Sequence, residues 1–168
     1  MRRFAAVLLA AVCSTAASAA EPAWQQTDNP DGTVRFACGE DCTDAALICV
    51  RFSQPGDKAL RVEDMVDEAV VPWGQIDFST VASAVADREL GAEADVTGGE
   101  RSSGPEVLTF GGADWVGAGY DFAADDKAMA VKLLLWPEKS ELLGLRCSYR
   151  AISDVTTMIE DLAVSLRS

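Results

Sequence analysis

From Ala92 onward the chain alternates apolar and polar positions with a period of two. That alternation predicts strands over residues 94–101, 106–110, 115–123, 128–136 and 142–151, separated by the turn-forming segments "SSGP", "GGAD", "ADD" and "PEKS". Connections this short join antiparallel neighbours, because parallel neighbours need long crossovers. In "LLGLRCSYR", Leu143, Leu145, Cys147 and Tyr149 fall on one face of a strand, and Arg146, Ser148 and Arg150 on the other. The segment "AVKLLLWP" is apolar on both faces, with Val131, Leu133 and Leu135 on one and Leu134 and Trp136 on the other. Such a strand belongs in a sheet covered by helices on both sides.

Upstream, "EPAWQQTDNPDG" holds a short first strand and then a turn at Asn29–Gly32. Residues 34–38 and 47–52 read as two further strands with a cysteine-rich loop between them. "SQPGDK" breaks the pattern. In "LRVEDMVDEAVVPWG", Val62, Met65, Val66, Ala69 and Val70 recur at helical spacing opposite Glu63, Asp64, Asp67 and Glu68, and Pro72 is expected to end that helix. A second helix is expected in "DFSTVASAVADRELG", capped by Ser79 or Thr80, with a Val81, Ala84 and Val85 stripe and Gly91 as its stop. The closing segment "SDVTTMIEDLAVSLRS" has Ser153 as cap and Val155, Met158, Ile159, Leu162 and Leu166 on one apolar face. The chain shows no internal repeat, low-complexity stretch or interdomain linker. These patterns predict a single α+β domain over residues 21–168: an antiparallel β-meander with helices packed on both faces, an α/β/α sandwich.

Two strands, a helical pair, a long antiparallel meander and a closing amphipathic helix, in that order, resemble the PsbP-like α/β/α sandwich. That superfamily of small accessory proteins takes its name from an extrinsic subunit of photosystem II. The resemblance covers the mature chain as an order of elements and carries no functional residues across. It implies an accessory or binding role by analogy of fold.

Residues 1–20 have the form of a secretory signal peptide. Arg2 and Arg3 supply a positive start, residues 4–12 an apolar run, and Ala17–Ala20 a small-residue cleavage site, with cleavage expected between Ala20 and Glu21. The run is shorter than the roughly 20 residues of a spanning helix. A lipoprotein reading would acylate Cys13, but Val12 stands before it where a small residue is wanted. Cleavage removes two arginines and no acid, leaving 12 basic against 27 acidic residues, a net charge of −15. A chain so acidic repels nucleic acid and anionic lipid head groups, whose binding needs Lys and Arg. It suits a basic protein partner or a cation, and a large net charge also keeps an exported domain dispersed. No later segment is apolar and long enough to anchor the mature chain stably in a membrane, so a soluble periplasmic or secreted protein is expected.

Four cysteines remain: Cys38, Cys42, Cys49 and Cys147. An even number in an exported chain points to disulfides. Zinc is a competing reading, but the spacing of the first three is C-x3-C-x6-C and the chain contains no histidine. A redox centre of the C-x-x-C type is absent. A bond to Cys147 from any of the others closes a loop of roughly a hundred residues. By alternation Cys147 and Cys38 point inward, and Cys49, set against Ile48, Val50 and Phe52, is expected to face the other way. The pairing stays open. The simplest scheme ties one cysteine of the cluster to Cys147 and uses the other two to tighten the first hairpin loop.

The absence of histidine removes the commonest general base and the Ser-His-Asp and Cys-His arrangements. The carboxylate pairs Asp125/Asp126, Glu40/Asp41 and Asp28/Asp31 fall in turns, where acids are ordinarily solvated, so no catalytic, metal or cofactor residue is assigned. Trp73, Trp115, Tyr120 and Trp136 read either as core or as the lining of a groove, with Trp73, just beyond a helix end, the one expected to be exposed. The leading expectation is an exported, non-catalytic binding or accessory protein of the bacterial periplasm. Its candidate contacts for a basic protein are Glu40 and Asp41, in a loop that a Cys38–Cys42 bond would stiffen, together with Trp73. The alternative is a small carboxylate-dependent hydrolase of cell-wall or glycan substrates.

Overall fold

A computed structural model describes residues 24–39, 42, 44–56, 60–91 and 94–167. Residues 1–20, expected to be a signal peptide, lie outside the described residues. The strands are β1 (Trp24–Asp28), β2 (Val34–Cys38), β3 (Ile48–Pro55), β4 (Val96–Phe110), β5 (Ala113–Ala124), β6 (Lys127–Glu138) and β7 (Glu141–Arg150). A 3₁₀ helix at Val62–Val66 precedes α1 (Trp73–Asp87), and α2 (Thr156–Ser165) closes the chain. The strands form one seven-stranded sheet in the order β1-β2-β3-β7-β6-β5-β4. Every pairing is antiparallel. The expected α+β sandwich is thus the observed fold, and no helix among the described residues is long and apolar enough to cross a membrane.

Alternation along the central strands divides the core into two layers. Leu134, Trp136, Leu143, Leu145 and Cys147 lie on one face of the sheet with Trp115 and are covered by Val155, Ile159, Leu162 and Ala163 of the α2 segment. Val131, Leu133 and Leu135 lie on the other face with Val116, Ala118 and Tyr120, covered by Met65 of the 3₁₀ helix and Trp73, Val81 and Ala84 of α1. Leu133, Leu134, Leu135 and Trp136 are all at most 2% exposed, as the doubly apolar pattern of β6 requires.

The cysteines pair as Cys49–Cys147 and Cys38–Cys42. Cys49 and Cys147 stand directly opposite each other in β3 and β7. The expectation that Cys49 faces away from Cys147 is corrected: both lie in the α2 layer with Phe36. Cys49 does oppose Phe52, but Phe52 packs in the second core on the α1 side. Alternation identifies a residue's face only relative to its neighbours, and with both faces buried neither is outward.

Four further expectations change. Residues 94–101 and 106–110, read as two strands, belong to the single strand β4, whose pairing with β5 continues past "SSGP" through shifts in register. The glycines there make bulges in an edge strand rather than a turn. Pro72 does not end a helix. The segment before it is only a 3₁₀ turn, and Pro72 stands immediately ahead of α1, where its missing N–H costs nothing. Ser79 and Thr80 are therefore inside α1 rather than at its cap, and the Ser79 hydroxyl donates back to the Ile76 carbonyl at 3.0 Å. At α2, Asp154 Oδ1 rather than Ser153 accepts from the Thr156 N–H, at 3.3 Å.

Candidate functional site

The four sequence-designated cysteines, Cys38, Cys42, Cys49 and Cys147, are all structural. Glu40 and Asp41, the acidic loop between Cys38 and Cys42, lie outside the described residues. Trp73 is corrected from an exposed partner contact to a core residue: it is 0% exposed and its indole N–H donates to the Met65 carbonyl at 2.7 Å. That bond ties the start of α1 to the 3₁₀ helix. Trp115, Tyr120 and Trp136 are equally buried. Trp115 stacks on Phe110 with centroids 5.0 Å apart and meets Trp136 edge-on at 4.6 Å. The aromatic residues are core, not a groove.

Of the carboxylate pairs, Asp31, Asp125 and Asp126 are turn residues, while Asp28, expected in a turn, is the last residue of β1. Asp125 and Asp126 both have positive φ, 49° and 62°, in the β5–β6 hairpin turn, the left-handed conformation that primed hairpin turns require. Asp31 Oδ1 accepts from the Thr33 N–H at 3.0 Å and the Thr33 hydroxyl at 2.7 Å. These bonds hold its carboxyl below the usual range. Among the described residues no group of three or more Cys, Asp or Glu side chains converges as a metal site.

Beside a pocket of about 540 Å³ at Leu60, Val71, Pro72, Ile76 and Leu142, two further surfaces open on the α1 side. The first is an apolar groove of about 380 Å³ between the outer flank of α1 and β4, lined by Phe78, Val81, Ala82, Val85, Val96 and the backbone at Gly98 and Gly99. Phe78 is 82% exposed, and Val96 37%. Asp95 and Asp125 flank Val96 at one end, linked by Asp125 N–H to the Asp95 carbonyl at 3.0 Å and Asp95 N–H to Asp125 Oδ1 at 3.2 Å. Glu100, just beyond Gly99, pairs with Asp121 and so faces away from the groove. At the other end Arg101 sits 3.5 Å from Asp77. Asp77 also accepts the Tyr120 hydroxyl at 2.9 Å. Burial, with that bond and the adjacent Asp77 charge, pushes the Tyr120 hydroxyl far above its ordinary value, so it stays a donor. The groove's residues follow α1 at i, i+4 and i+7 (Phe78, Ala82, Val85), a spacing visible in the sequence but hidden behind the Val81–Ala84–Val85 stripe that faces the core.

The second surface is a polar cleft of about 400 Å³ on the opposite flank of α1, toward its C-terminal end, bounded by Asn29, Asp31, Thr33, Arg35, Val50, Ser83, Ala86, Asp87, Glu89 and Arg146. Arg35 of β2 and Arg146 of β7 are both register partners of Val50 of β3, so the two arginines flank it on the α1 side of the sheet. Arg146 binds Asp87 of α1 through Nε at 2.8 Å and a terminal nitrogen at 2.7 Å, both to Oδ2, with side chains only 13% and 16% exposed. Its guanidinium also lies 5.4 Å from the centre of the Phe52 ring. Burial pushes the Asp87 carboxyl above its ordinary value, although Arg146 and Arg35 pull it down. Next to it, Arg88 bonds the Ala46 and Ser148 carbonyls and the Ser148 hydroxyl at 2.9–3.0 Å, fastening the end of α1 to the sheet. Arg35 Nε is buried without a hydrogen-bond partner. Sequence reasoning marked Arg146 only as outward-facing and missed Asp87. Their contact joins a helix to a strand 59 positions away, which neither periodicity nor spacing encodes.

No family of known proteins matches the chain, and no curated protein matches it. Among solved structures it is similar to a protein from Bacteroides thetaiotaomicron VPI-5482, with a TM-score of 0.47 and 8% identity over 82% of this chain. The match spans 39% of the length of that structure. A likeness at that level carries no functional argument.

Proposed function

We propose that the protein is an exported, non-catalytic binding or accessory protein of the periplasm that engages a basic protein partner through the groove between α1 and β4. The observation that carries this reading is Phe78. A phenylalanine left 82% exposed beside a formed apolar groove is the anchor residue expected of a protein-binding surface. Asp95 and Asp125 set negative charge at one end of the groove, and Arg101 is already occupied by Asp77, which favours a partner presenting Lys or Arg beside an apolar core. Export accords with the signal-peptide pattern and with two disulfides. The accessory role accords with the PsbP-like order of elements.

The test is recovery of periplasmic partners by immobilised mature protein, wild type against Phe78→Asp. A basic protein should be retained at low salt, released as salt rises, and lost with Phe78→Asp. Equal recovery by both proteins refutes the groove. Turnover of peptidoglycan or glycan substrates, abolished by one Asp or Glu substitution, refutes the non-catalytic reading.

A further inference from the structure

The polar cleft beside the C-terminal end of α1 holds charges that are not fully used. Val50 forms its floor and is 2% exposed. On one side stands the Arg146–Asp87 pair, whose contacts converge on Asp87 Oδ2. On the other side stands Arg35, whose side chain makes no hydrogen bond or ion pair with any described residue and whose Nε is buried from water. A guanidinium carries five N–H donors in a planar fork suited to a carboxylate, and a buried donor left without an acceptor is a cost the fold normally avoids. At the mouth, Asp31 spends Oδ1 on Thr33, while Oδ2 makes no bond with any described residue. Glu89 lines the same opening and is exposed.

The vacant groups are therefore of both signs. A free anion would satisfy Arg35 but meet Asp31, Glu89 and Asp87. A free cation would satisfy the acids but meet Arg35 and Arg146. A molecule carrying one ammonium and one carboxylate meets neither repulsion. We infer that this cleft binds a small zwitterion of the size of an amino acid or dipeptide, its carboxylate on Arg35 and its ammonium toward Asp31 and Glu89. The apolar surface of Val50 and Ala86, both lining the cleft, is left for a small aliphatic side chain. The volume, about 400 Å³, lies in the range of small-molecule sites.

Nothing in this inference depends on the groove at Phe78, which lies on the opposite flank of α1 against β4, so the two readings fail separately. The test is titration of the mature protein, followed by isotope-edited NMR and calorimetry, with L-valine and L-alanyl-L-alanine as zwitterions, N-acetylvaline as an anion and valine methyl ester as a cation. Saturable binding should appear for valine, the dipeptide or both, their relative affinity telling free amino acid from peptide. The blocked compounds should bind at least about tenfold more weakly. Arg35→Gln should reduce zwitterion affinity by a similar factor, and Asp31→Asn, on an exposed turn where folding is not at stake, should weaken it as well. Absence of saturable binding by both zwitterions overturns the inference. Equal binding of N-acetylvaline or of the methyl ester reduces the cleft to a simple ion site and does the same. So does zwitterion affinity that is unchanged in Asp31→Asn.

Discussion

Asp87 and Arg146 illustrate how far one residue's environment can be argued. Both side chains are mostly withdrawn from water, so each needs the other. Removing one partner of a buried pair leaves a desolvated charge, whereas replacing both by apolar groups leaves none. Asp87→Ala is therefore expected to lower unfolding free energy by about 3 kcal/mol, and Asp87→Leu combined with Arg146→Leu by clearly less than the two single changes together. Urea unfolding of the four proteins measures the difference. The pH dependence has a definite sign. An acid whose native pKa lies above its unfolded value holds its proton more tightly when folded. The fold then gains stability from Asp87 as pH falls through the native pKa toward the ordinary 3.8, and loses that gain as pH rises back through the same window. Asp87→Asn, which keeps an oxygen for Arg146 but cannot titrate, should flatten that part of the stability profile. An unchanged profile would mean that the carboxyl does not titrate high.

Among the elements, the β3–β7 pairing depends on a glycine. Gly144 stands opposite Phe52, and a Cβ added there would meet the Phe52 ring. The ring therefore lies over the glycine and under the Arg146 guanidinium, so the missing side chain at 144 sets the height of the stack that orients Arg146 toward Asp87. Gly144→Ala should cost about 2 kcal/mol by overpacking. Adding Phe52→Leu should return part of it, measured by urea unfolding. Restoration by Phe52→Leu marks the ring as the obstacle, and the absence of any restoration refutes this account. Elements of this kind also show where sequence patterns are legible. The meander from β5 to β7 and the apolar face of α2 were readable because one alternation or one helical stripe dominates each segment. Pro72 misled because a proline ends one helix and begins another with equal chemistry, and only the weak 3₁₀ turn before it decides between them. β4 misled because Gly98, Gly99 and Gly104, all at positive φ, have the composition of a turn while continuing an edge strand. Phe78 and the Arg35–Asp87–Arg146 cleft were hidden for a different reason: each is defined by what lies across from it, on another element.

At the scale of the molecule, the chain divides into two runs of sequential pairing, β1–β2–β3 and β4–β5–β6–β7, and the sheet joins them at β3–β7. Every other strand contact is between neighbours in sequence, so this seam is the one strand pairing whose loop-closure entropy is large. The Cys49–Cys147 bond lies on that seam, joining residues 98 positions apart, whereas Cys38–Cys42 spans 4. If the bonds act by restricting the unfolded chain, their contributions scale with the logarithm of loop length, giving about 4–5 kcal/mol for the first and about 2 kcal/mol for the second. The difference is a statement about topology, because the two bonds are chemically alike and both belong to the α2 side of the sheet. Equilibrium urea unfolding of Cys49→Ala/Cys147→Ala and of Cys38→Ser/Cys42→Ser, each against the oxidised parent, should show the long-range pair costing at least twice as much. The buried Cys49 and Cys147 also leave small voids when truncated, which enlarges the gap in the same direction. A smaller loss for the long-range pair would mean that β3 and β7 associate strongly without covalent help, and that the energetic weight of the fold lies in the doubly buried β6 rather than in its seam.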